Sequence, residues 1–472
     1  MRGLLLIFSI FLSFVASAQQ DMALPAMEKT DSLTQDSAYR TIRNIYIIGN
    51  KKTKVYMVER EFAFQKGRTY MIKHLRDTLV LTREQLINTA LFVDAELKMT
   101  AVDTTMVDIT VSIKERWYIF PLPFFRNIDR NWNEWIHTYG ASLARVNYGV
   151  KISHNNLSGR NDKLDIFLTG GYTQEVSFNY SQPYMDKKLK HGISFGFNFN
   201  RKREVKYRTN YDTLQFVKLP GFARTNISGF VGYSYRKGSK ERHNVSIGYN
   251  VEKADSAIID KNPNFFGYER LKVNTLDFAY TFQYFNVDYI RYPLRGWYVT
   301  LNASQRFGDR LSASTISGKY LQSWKLFKGS YFMLQAAGSL RVPFKQPYYN
   351  SRLLGYGDVS MRGMEYLVVD GVAGGVLKGT FRKKVFGFTF KNPIKSKNHD
   401  RIPFTIYAKA FGDVGYVYSQ DRSNNSRLTN KLLRTGGFGL DVVTIYDVVL
   451  KLEFVYNQLG SRGIYYHSGT DF

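Results

Sequence analysis

Large apolar residues alternate with small or polar ones along many short stretches in the last two-thirds of the chain. At 193–200 every second residue is Ile or Phe, and at 276–284 every second residue is Leu, Phe or Tyr. Because successive side chains of a β-strand point to opposite faces, each stretch predicts a strand with one apolar and one polar face. In a soluble sandwich the apolar faces would meet in a core, but faces so rich in Phe and Tyr favour contact with lipid. The pattern predicts an all-β transmembrane barrel.

The alternation begins near Trp132 and continues to the end of the sequence. We predict a barrel at 135–472 with about sixteen antiparallel strands, the first at 135–144 and the last at 462–472. This count leaves roughly 21 residues for each strand with its connection, whereas a spanning strand needs about 9 to 11. The remainder suffices for short turns and longer loops.

Residues 40–116 have a different pattern, which predicts a small α+β domain in the order β-α-α-β-β. A strand at 42–48 ends in a turn at Gly49 and Asn50, two residue types that favour chain reversal. The helices and the two other strands are predicted at 53–64, 72–91, 93–99 and 106–114.

Three further segments complete the predicted organisation. Residues 1–18 predict a secretory signal, in which an apolar run follows Arg2 and small residues at 16–18 provide a cleavage site. The polar residues 19–39 predict a flexible leader. The aromatic and proline-rich segment 117–134 predicts a linker that packs against the periplasmic rim of the barrel.

The chain is strongly basic, with 66 Lys and Arg against 39 Asp and Glu and a net charge of +27. These cations are spread through hairpins and loops rather than gathered on one helix or patch, and an exported protein rarely meets nucleic acid. We therefore expect them to line the lumen or to face anionic lipid head groups, and expect no nucleic-acid partner.

No pattern predicts catalysis, a cofactor or a metal site. The seven His are scattered, and none has an Asp, Glu or second His at ligand spacing. The chain has no Cys, which excludes a lipoprotein anchor, disulfides and thiolate metal sites. Nucleotide-binding and nucleophile-elbow motifs are also missing. We predict a protein that is not an enzyme.

The connection at 343–371 is the most informative loop, because a loop this long without regular structure is usually functional or disordered. It carries Arg362 and Gly363 near its predicted apex. Alternation at 404–416 puts an apolar face toward lipid and Asp413 toward the lumen. A carboxylate on that wall needs solvent or a cation, and a loop folded into the lumen would supply Arg362 as a bidentate partner.

Two alternatives to this pairing remain open. The loop at 343–371 is also compatible with a solvated extracellular loop in which Arg362 is exposed. Lys409 lies on the same predicted face as Asp413, four residues away, and is the competing cation. A separation of about 13 Å along an extended strand makes Lys409 the poorer partner.

These residues carry a resemblance to a known family. The loop at 359–366 and the strand at 411–415 resemble the arginine-glycine loop and the aromatic-x-Asp-x-Gly strand of the BamA/TamA superfamily. Members are outer-membrane barrels of sixteen strands that follow periplasmic POTRA domains, and residues 40–116 resemble one POTRA domain. Further matching segments, in the family's order, lie at 156–160, 182–184 and 293–297.

The resemblance implies a loop–barrel lock in which Arg362 and Gly363 meet Asp413 and Gly415. A glutamate on the twelfth strand often gives the loop arginine a second carboxylate in the family, and its place here falls near Thr380.

The resemblance also implies a lateral seam between the first and last strands. We place this seam at Trp135 to Ala144 and at a last strand that includes Gly460, Gly463 and the C-terminal Phe472. Glycine weakens strand pairing, which favours a seam that opens. These glycines are equally compatible with ordinary barrel positions.

The implied function is assembly or insertion of outer-membrane proteins, without nucleotide, in a Gram-negative outer membrane with the POTRA domain in the periplasm. The expected partners are unfolded outer-membrane proteins or exported polypeptides as clients, outer-membrane lipid, and periplasmic or lipoprotein accessory subunits. A polypeptide or lipoprotein secretion pore of the same fold is the first alternative, and a passive diffusion porin is the second.

Overall fold

The computed structural model describes eight ranges of the chain, and all that follows concerns these: 37–127, 140–186, 188–356, 359–365, 367–391, 401–421, 425–444 and 448–468. The predicted secretory signal and nearly all of the predicted leader lie outside the described residues.

The N-terminal domain is a four-stranded mixed sheet with two helices. Along the chain its elements are β1 (Tyr39–Ile48), α1 (Val55–Glu59), β2 (Thr69–Met71), α2 (Ile72–Asn88), β3 (Phe92–Ala101) and β4 (Met106–Glu115). The sheet order is β2-β1-β4-β3, with β1 parallel to β4. Leu75, Leu79 and Leu86 of α2 are buried in the domain core. The predicted small α+β domain is therefore present, with β2 as an additional short strand.

Gly49 follows β1 because only glycine fits there. Its φ is +96°, and a Cβ at this position would lie 2.0 Å from the carbonyl oxygen of Ile113 on β4. Asn50 continues the turn and donates from Nδ2 to the carbonyl of Thr53 at 3.3 Å. The turn thus lies close against β4 where the chain leaves the sheet and continues to α1.

Twenty strands and one helix follow. They are β5 (Ile119–Asn127), β6 (Val146–Asn155), β7 (Lys163–Gly171), β8 (Thr173–Gln182), β9 (His191–Lys202), β10 (Glu204–Asn210), β11 (Thr213–Lys218), β12 (Arg224–Tyr235), β13 (Glu241–Ala254), α3 (Ser256–Lys261), β14 (Lys272–Val287), β15 (Gly296–Gly308), β16 (Ala313–Phe327), β17 (Ser330–Val342), β18 (Arg352–Leu354), β19 (Val369–Asp370), β20 (Ala373–Lys391), β21 (Arg401–Tyr418), β22 (Leu432–Val443), β23 (Val449–Asn457) and β24 (Arg462–Ser468).

Sixteen of these strands form one antiparallel sheet in chain order, from β5 to β24. The other four form two small hairpins, β10 with β11 and β18 with β19. The predicted number of strands and their antiparallel arrangement are confirmed.

The first strand of this sheet corrects the prediction. β5 lies inside the segment 117–134 that was predicted as a linker, and it pairs with β6 from Ile119 to Asn127. The predicted first strand at 135–144 is wrong for its described part, because Ala144 lies in a short 3-10 turn. Proline content suggested a linker, but proline is tolerated on an edge strand when its nitrogen faces away from the neighbour.

The outer face of the sheet is apolar, as the alternation predicted. In one row across neighbouring strands, Phe195, Val231, Ile247 and Phe278 are between 38% and 66% exposed. Exposed apolar side chains in continuous rows are expected where a barrel faces lipid. Within the described ranges, no helix has both the length and the apolar character needed to cross a membrane.

The end of the barrel opposite the N-terminal domain is covered by a cap of connections. The hairpin β10–β11, helix α3 and the start of the long β17–β20 connection share an apolar cluster around Phe265, Phe266 and Tyr348. The cap is joined to the β21–β22 connection through Asp212, which accepts from the backbone N–H of Arg427 at 2.8 Å.

Candidate functional site in the barrel lumen

The long connection between β17 and β20 folds into the lumen. At its tip Val359, Met361 and Met364 are buried, between 2% and 4% exposed. They pack in a cluster that includes Val417 of β21 and Leu433 of β22. Tight packing of three apolar side chains fixes the tip against the inner wall. Tyr366, at the end of the resembling loop motif, lies outside the described residues.

The packed tip brings the guanidinium of Arg362 onto Asp413 of β21. Nε donates to Oδ2 at 2.9 Å, and Nη2 donates to Oδ1. Nη1 donates to Oγ1 of Thr380 on β20 at 3.0 Å, and the guanidinium carbon lies 3.9 Å from the centre of the Phe411 ring. The side chains of Arg362 and Asp413 are 14% and 0% exposed. The arrangement is a bidentate ion pair, shielded from water and supported by a cation–π contact.

Gly363 and Gly415 are needed by close approach. Gly363 has φ of +76°, and a Cβ there would lie 2.5 Å from Cγ1 of Val455 on β23. Its carbonyl accepts from Nδ2 of Asn457 at 2.8 Å. At Gly415 a Cβ would meet Cγ1 of Val376 at 3.1 Å and Sδ of Met361 at 3.3 Å. A larger residue at position 363 would clash with β23, and one at position 415 would require its neighbours to shift by a few tenths of an ångström.

The tip also contacts the last strand of the sheet. Glu365 Oε1 accepts from the backbone N–H of Gly363 at 3.1 Å and lies 3.3 Å from Nε2 of His467 on β24. Together with Asp413 on β21, Leu433 on β22 and Asn457 on β23, this contact means that one loop touches each of the last four strands.

Lys409 does not compete for Asp413. Its Nζ lies 2.5 Å from both Asp441 Oδ1 and Glu453 Oε1, which are buried on β22 and β23. Arg382 lies 3.8 Å from the same Asp441 and stacks on Tyr292 at 4.2 Å. Two cations and two carboxylates thus form a second buried cluster.

Sequence reasoning missed this second cluster. The alternation does put Lys409 on the lumenal face, but its contact with Glu453 depends on register. Lys409 and Glu453 both lie opposite Gly439, one on each side of β22. Because Gly439 has no side chain, nothing on β22 separates Lys409 from Glu453. This alignment across three strands cannot be recognised from the pattern of any one of them.

A cavity of about 910 Å³ lies beside the loop in the lumen. Its polar lining includes Lys319, Gln335, Lys378 and Lys451. The inner face is therefore suited to water, in contrast to the apolar outer face.

Of the predicted seam residues outside the 3-10 turn, one lies in the last strand, one lies in the turn before it, and two lie outside the described residues. Gly463 lies in β24, where the ring of Tyr465 covers the position of its absent side chain at 3.3 Å. Gly460 lies in the preceding turn with φ of +78°, not in the strand, because that turn needs a left-handed residue. Trp135 and Phe472 lie outside the described residues. The end strands of the sheet are β5 and β24, and the described residues include no ladder between them.

The N-terminal domain is held on the barrel's turns by a buried ionic contact. Glu61 accepts from Arg60 Nη1 at 2.9 Å and from Arg236 Nη2, in the β12–β13 turn, at 3.2 Å. Both guanidinium groups lie over the ring of Tyr184. Arg60 Nε also donates to the carbonyl of Leu189 at 2.9 Å.

A second, more exposed part of the same contact involves α2. Asn88 Oδ1 accepts from the backbone N–H of Ile290 at 2.9 Å, and Glu84 lies 3.2 Å from Arg295 in the β14–β15 turn. Burial raises the pKa of Glu84 above its ordinary 4.5 and raises that of Asp288 above its ordinary 3.8. The β6–β7 turn adds a backbone bond from Lys54 N–H to the Gly159 carbonyl at 3.1 Å.

Comparison with known families agrees with this architecture. The Omp85 superfamily domain matches residues 156–459, and the POTRA family, described as a surface antigen variable number repeat, matches residues 40–116. The chain belongs to the Omp85 superfamily. Its N-terminal domain is a POTRA domain, and its resemblance to the BamA/TamA type is confirmed.

Two solved structures share the fold. BamA from Haemophilus ducreyi lacking POTRA domains 1–3 is 14% identical with a TM-score of 0.50, and the match covers 91% of this chain and 84% of that one. CdiB from Escherichia coli is 12% identical with a TM-score of 0.51, covering 91% and 76%. None of the curated proteins searched matches the chain.

Membership of the family assigns the chain a role in outer-membrane insertion or translocation of polypeptides. The POTRA domain then marks the periplasmic end of the barrel, and the cap of connections marks the outer end.

Proposed function

We propose that this protein is an assembly factor that inserts polypeptides into the outer membrane of a Gram-negative bacterium, and that it does so without nucleotide or catalysis. The observation that carries the proposal is the sheet with two end strands, β5 and β24, that are not joined by a ladder in the described residues. A strand edge in hydrocarbon has polar backbone groups that must be paired. An incoming strand can supply those pairs.

The POTRA domain provides an earlier edge for the same kind of contact. β3 is the outer strand of its sheet and extends over ten residues, whereas the opposite edge strand, β2, has three. A periplasmic polypeptide can add to β3 by β-augmentation before it reaches the barrel. The POTRA domain of the described residues rests directly on the barrel turns, so a polypeptide added to its sheet is held next to the barrel.

The loop lock has a supporting role in the proposal. It connects Asp413 on β21 with Asn457 on β23 and His467 on β24, so it braces the wall that ends at the seam. The seam can then open at β24 while β21 to β23 stay paired with one another. The tip also fills part of the lumen and the cap covers its outer end, which supports an assembly factor over a passive porin.

Crosslinking across the seam tests the proposal. The chain has no Cys, so Ile119→Cys on β5 and Tyr466→Cys on β24 can be bridged cleanly by a bifunctional maleimide. In proteoliposomes that contain the full chain, bridging should abolish insertion of a small outer-membrane barrel made by in vitro translation. Each single-cysteine variant treated with the same reagent is the control. Full insertion with the seam bridged would remove the lateral mechanism.

Conductance distinguishes the alternatives. An assembly factor should show low and intermittent conductance in planar bilayers, and Arg362→Ala should raise it by releasing the loop. A large steady pore in the unmodified protein would favour the diffusion porin. Export of a soluble polypeptide through the seam-bridged protein would favour the secretion pore.

A further inference from the structure

The two edges that meet at the seam differ in their backbone donors. In an antiparallel ladder, residues alternate between pairs that exchange both backbone hydrogen bonds and pairs whose N–H and C=O groups point away from the neighbour. One backbone hydrogen bond on each side is enough to fix this alternation along β5 and along β24, since neither ladder contains a bulge.

On β5 the phase is set by Asn155, whose N–H donates to the carbonyl of Tyr118 at 2.7 Å. Tyr118 and Asn155 therefore form a hydrogen-bonded pair, and the odd-numbered residues that follow turn their backbone groups away from β6, toward the seam. These residues are Ile119, Pro121, Pro123, Phe125 and Asn127. Two neighbouring positions in the middle of this edge are proline and have no N–H to donate.

On β24 the phase is set by Asn457, whose N–H donates to the carbonyl of Ser461 at 3.0 Å. The even-numbered residues that follow then turn away from β23, toward the seam. These residues are Arg462, Ile464, Tyr466 and Ser468, none of which is proline. This edge offers an N–H and a C=O at every seam-facing position.

A strand that enters the seam therefore meets two unequal edges. Against β5 it can form only one of the two bonds at Pro121 and at Pro123, and its own carbonyls opposite these residues stay unpaired. An unpaired carbonyl is costly in hydrocarbon, where water cannot replace the missing donor. Against β24 every bond can form. Proline is also a known means of keeping an edge strand from pairing.

We infer that an added strand pairs with β24, and that Pro121 and Pro123 keep β5 from serving as the accepting edge. The inference rests on the proposed function and names the docking surface for the client: the seam edge of β24, taken by an extended antiparallel strand of a membrane-inserting polypeptide. The same prolines weaken the closure of β5 on β24, so the edge that accepts the client is released readily.

Ile464 and Ile119 offer a matched pair for the test. Both N–H groups face the seam, both side chains are exposed on the lipid side, and both can be changed to proline without loss of a bond to β23 or β6. The probe is a small outer-membrane barrel, translated in vitro with one cysteine in its last strand and offered to proteoliposomes of the full chain. Heat-modified gel mobility verifies that each variant is folded.

Ile464→Pro should reduce insertion of the probe at least fivefold, and Ile119→Pro should change it less than twofold. Disulfides to the probe should form with Tyr466→Cys on β24 and be at least tenfold rarer with Ile119→Cys on β5. In the double variant Pro121→Ala and Pro123→Ala, crosslinks to Ile119→Cys should appear, because the two donors are restored.

The outcomes separate this inference from the proposed function. Efficient insertion with crosslinks mainly to β5, or equal effects of the two Ile→Pro changes, would overturn the inference and leave the assembly function standing. Failure of the unmodified protein to insert the probe or to crosslink with it at either edge would count against both.

Discussion

The loop lock in the lumen and the POTRA contact at the rim both fasten a separate segment to the barrel wall through Arg–carboxylate pairs, but they differ in how the charge is shared. In the lock, one arginine serves one carboxylate, and Asp413 is fully shielded from solvent. At the rim, Glu61 is shared by Arg60 and Arg236, while the outer pair of Glu84 and Arg295 is 25% and 58% exposed. A buried pair with one cation for each carboxylate is suited to holding the loop permanently. A contact that combines a buried shared carboxylate with a partly exposed outer pair is suited to a domain that can shift.

The largest effect is expected from breaking the lock. Arg362→Ala and Asp413→Ala should each lower the free energy of unfolding by about 3 to 5 kcal/mol, because the remaining partner stays buried without its counter-charge. The double variant should be little worse than either single one, and a double-mutant cycle in lipid vesicles measures this. Arg270→Ala, which breaks the more exposed pair with Asp309, is the control. Additive losses would show that Arg362 and Asp413 do not act together.

Removing the shared carboxylate at the rim should have the next largest effect. Glu61→Gln keeps the shape but leaves Arg60 and Arg236 facing each other, which should weaken docking of the POTRA domain by about 1 to 3 kcal/mol. The rate of disulfide formation between Met57→Cys and Leu189→Cys, which pack in one cluster, reports docking. Glu96→Gln, at an exposed pair on β3, should leave that rate unchanged. An unchanged rate in Glu61→Gln would mean that apolar packing alone holds the domain.

A change of backbone conformation in the lock, made by replacing Gly363, should have the third largest effect. Gly363→Ala places a non-glycine residue at positive φ and a methyl group 2.5 Å from Val455, which should destabilise the lock by about 1 to 3 kcal/mol. Val455→Ala in the same chain should recover part of this loss, since it removes the clash but not the backbone strain. Gly238→Ala, where nothing lies within 4 Å of the added carbon, is the control for unfolding measurements. Full recovery would assign the effect to sterics alone.

The smallest effect is expected at the exposed outer pair. Glu84→Gln should change docking at neutral pH by about 0 to 1 kcal/mol, as for a surface ion pair. Because burial raises the pKa of Glu84 in the docked state, docking takes up protons, so it strengthens as pH falls toward the ordinary value of 4.5 and weakens as pH rises. The slope is measured from the trapping rate of the cysteine pair described above at pH 5.5 and 7.5, divided at each pH by the rate of the same pair in the urea-denatured chain, because the thiolate fraction alone raises the rate with pH.

Glu84→Gln should reduce that slope, and the raised pKa of Asp288 should account for what remains. A slope of the opposite sign would contradict this assignment.

The extent of prediction from sequence differed between regions for identifiable reasons. The lipid-facing rows and the lumenal position of Asp413 follow from the two-residue period of a strand, which needs no knowledge of neighbours. The first strand was missed because Pro121 and Pro123 normally argue against a strand, and only the edge position of β5 makes them acceptable. The contact of Glu61 with Arg236 joins residues 175 positions apart and has no local signal.

The sequence by itself determined which side chains face lipid and which face the lumen, the order of the POTRA domain and the barrel, and the residues available for a lock. Each of these follows from local periodicity or short motifs. The tertiary structure alone decided which strands end the sheet, how Lys409 meets Glu453 across Gly439, and how unequal the two seam edges are. Those features depend on strand register and on which neighbour each backbone group faces, and both are set only when distant segments pair.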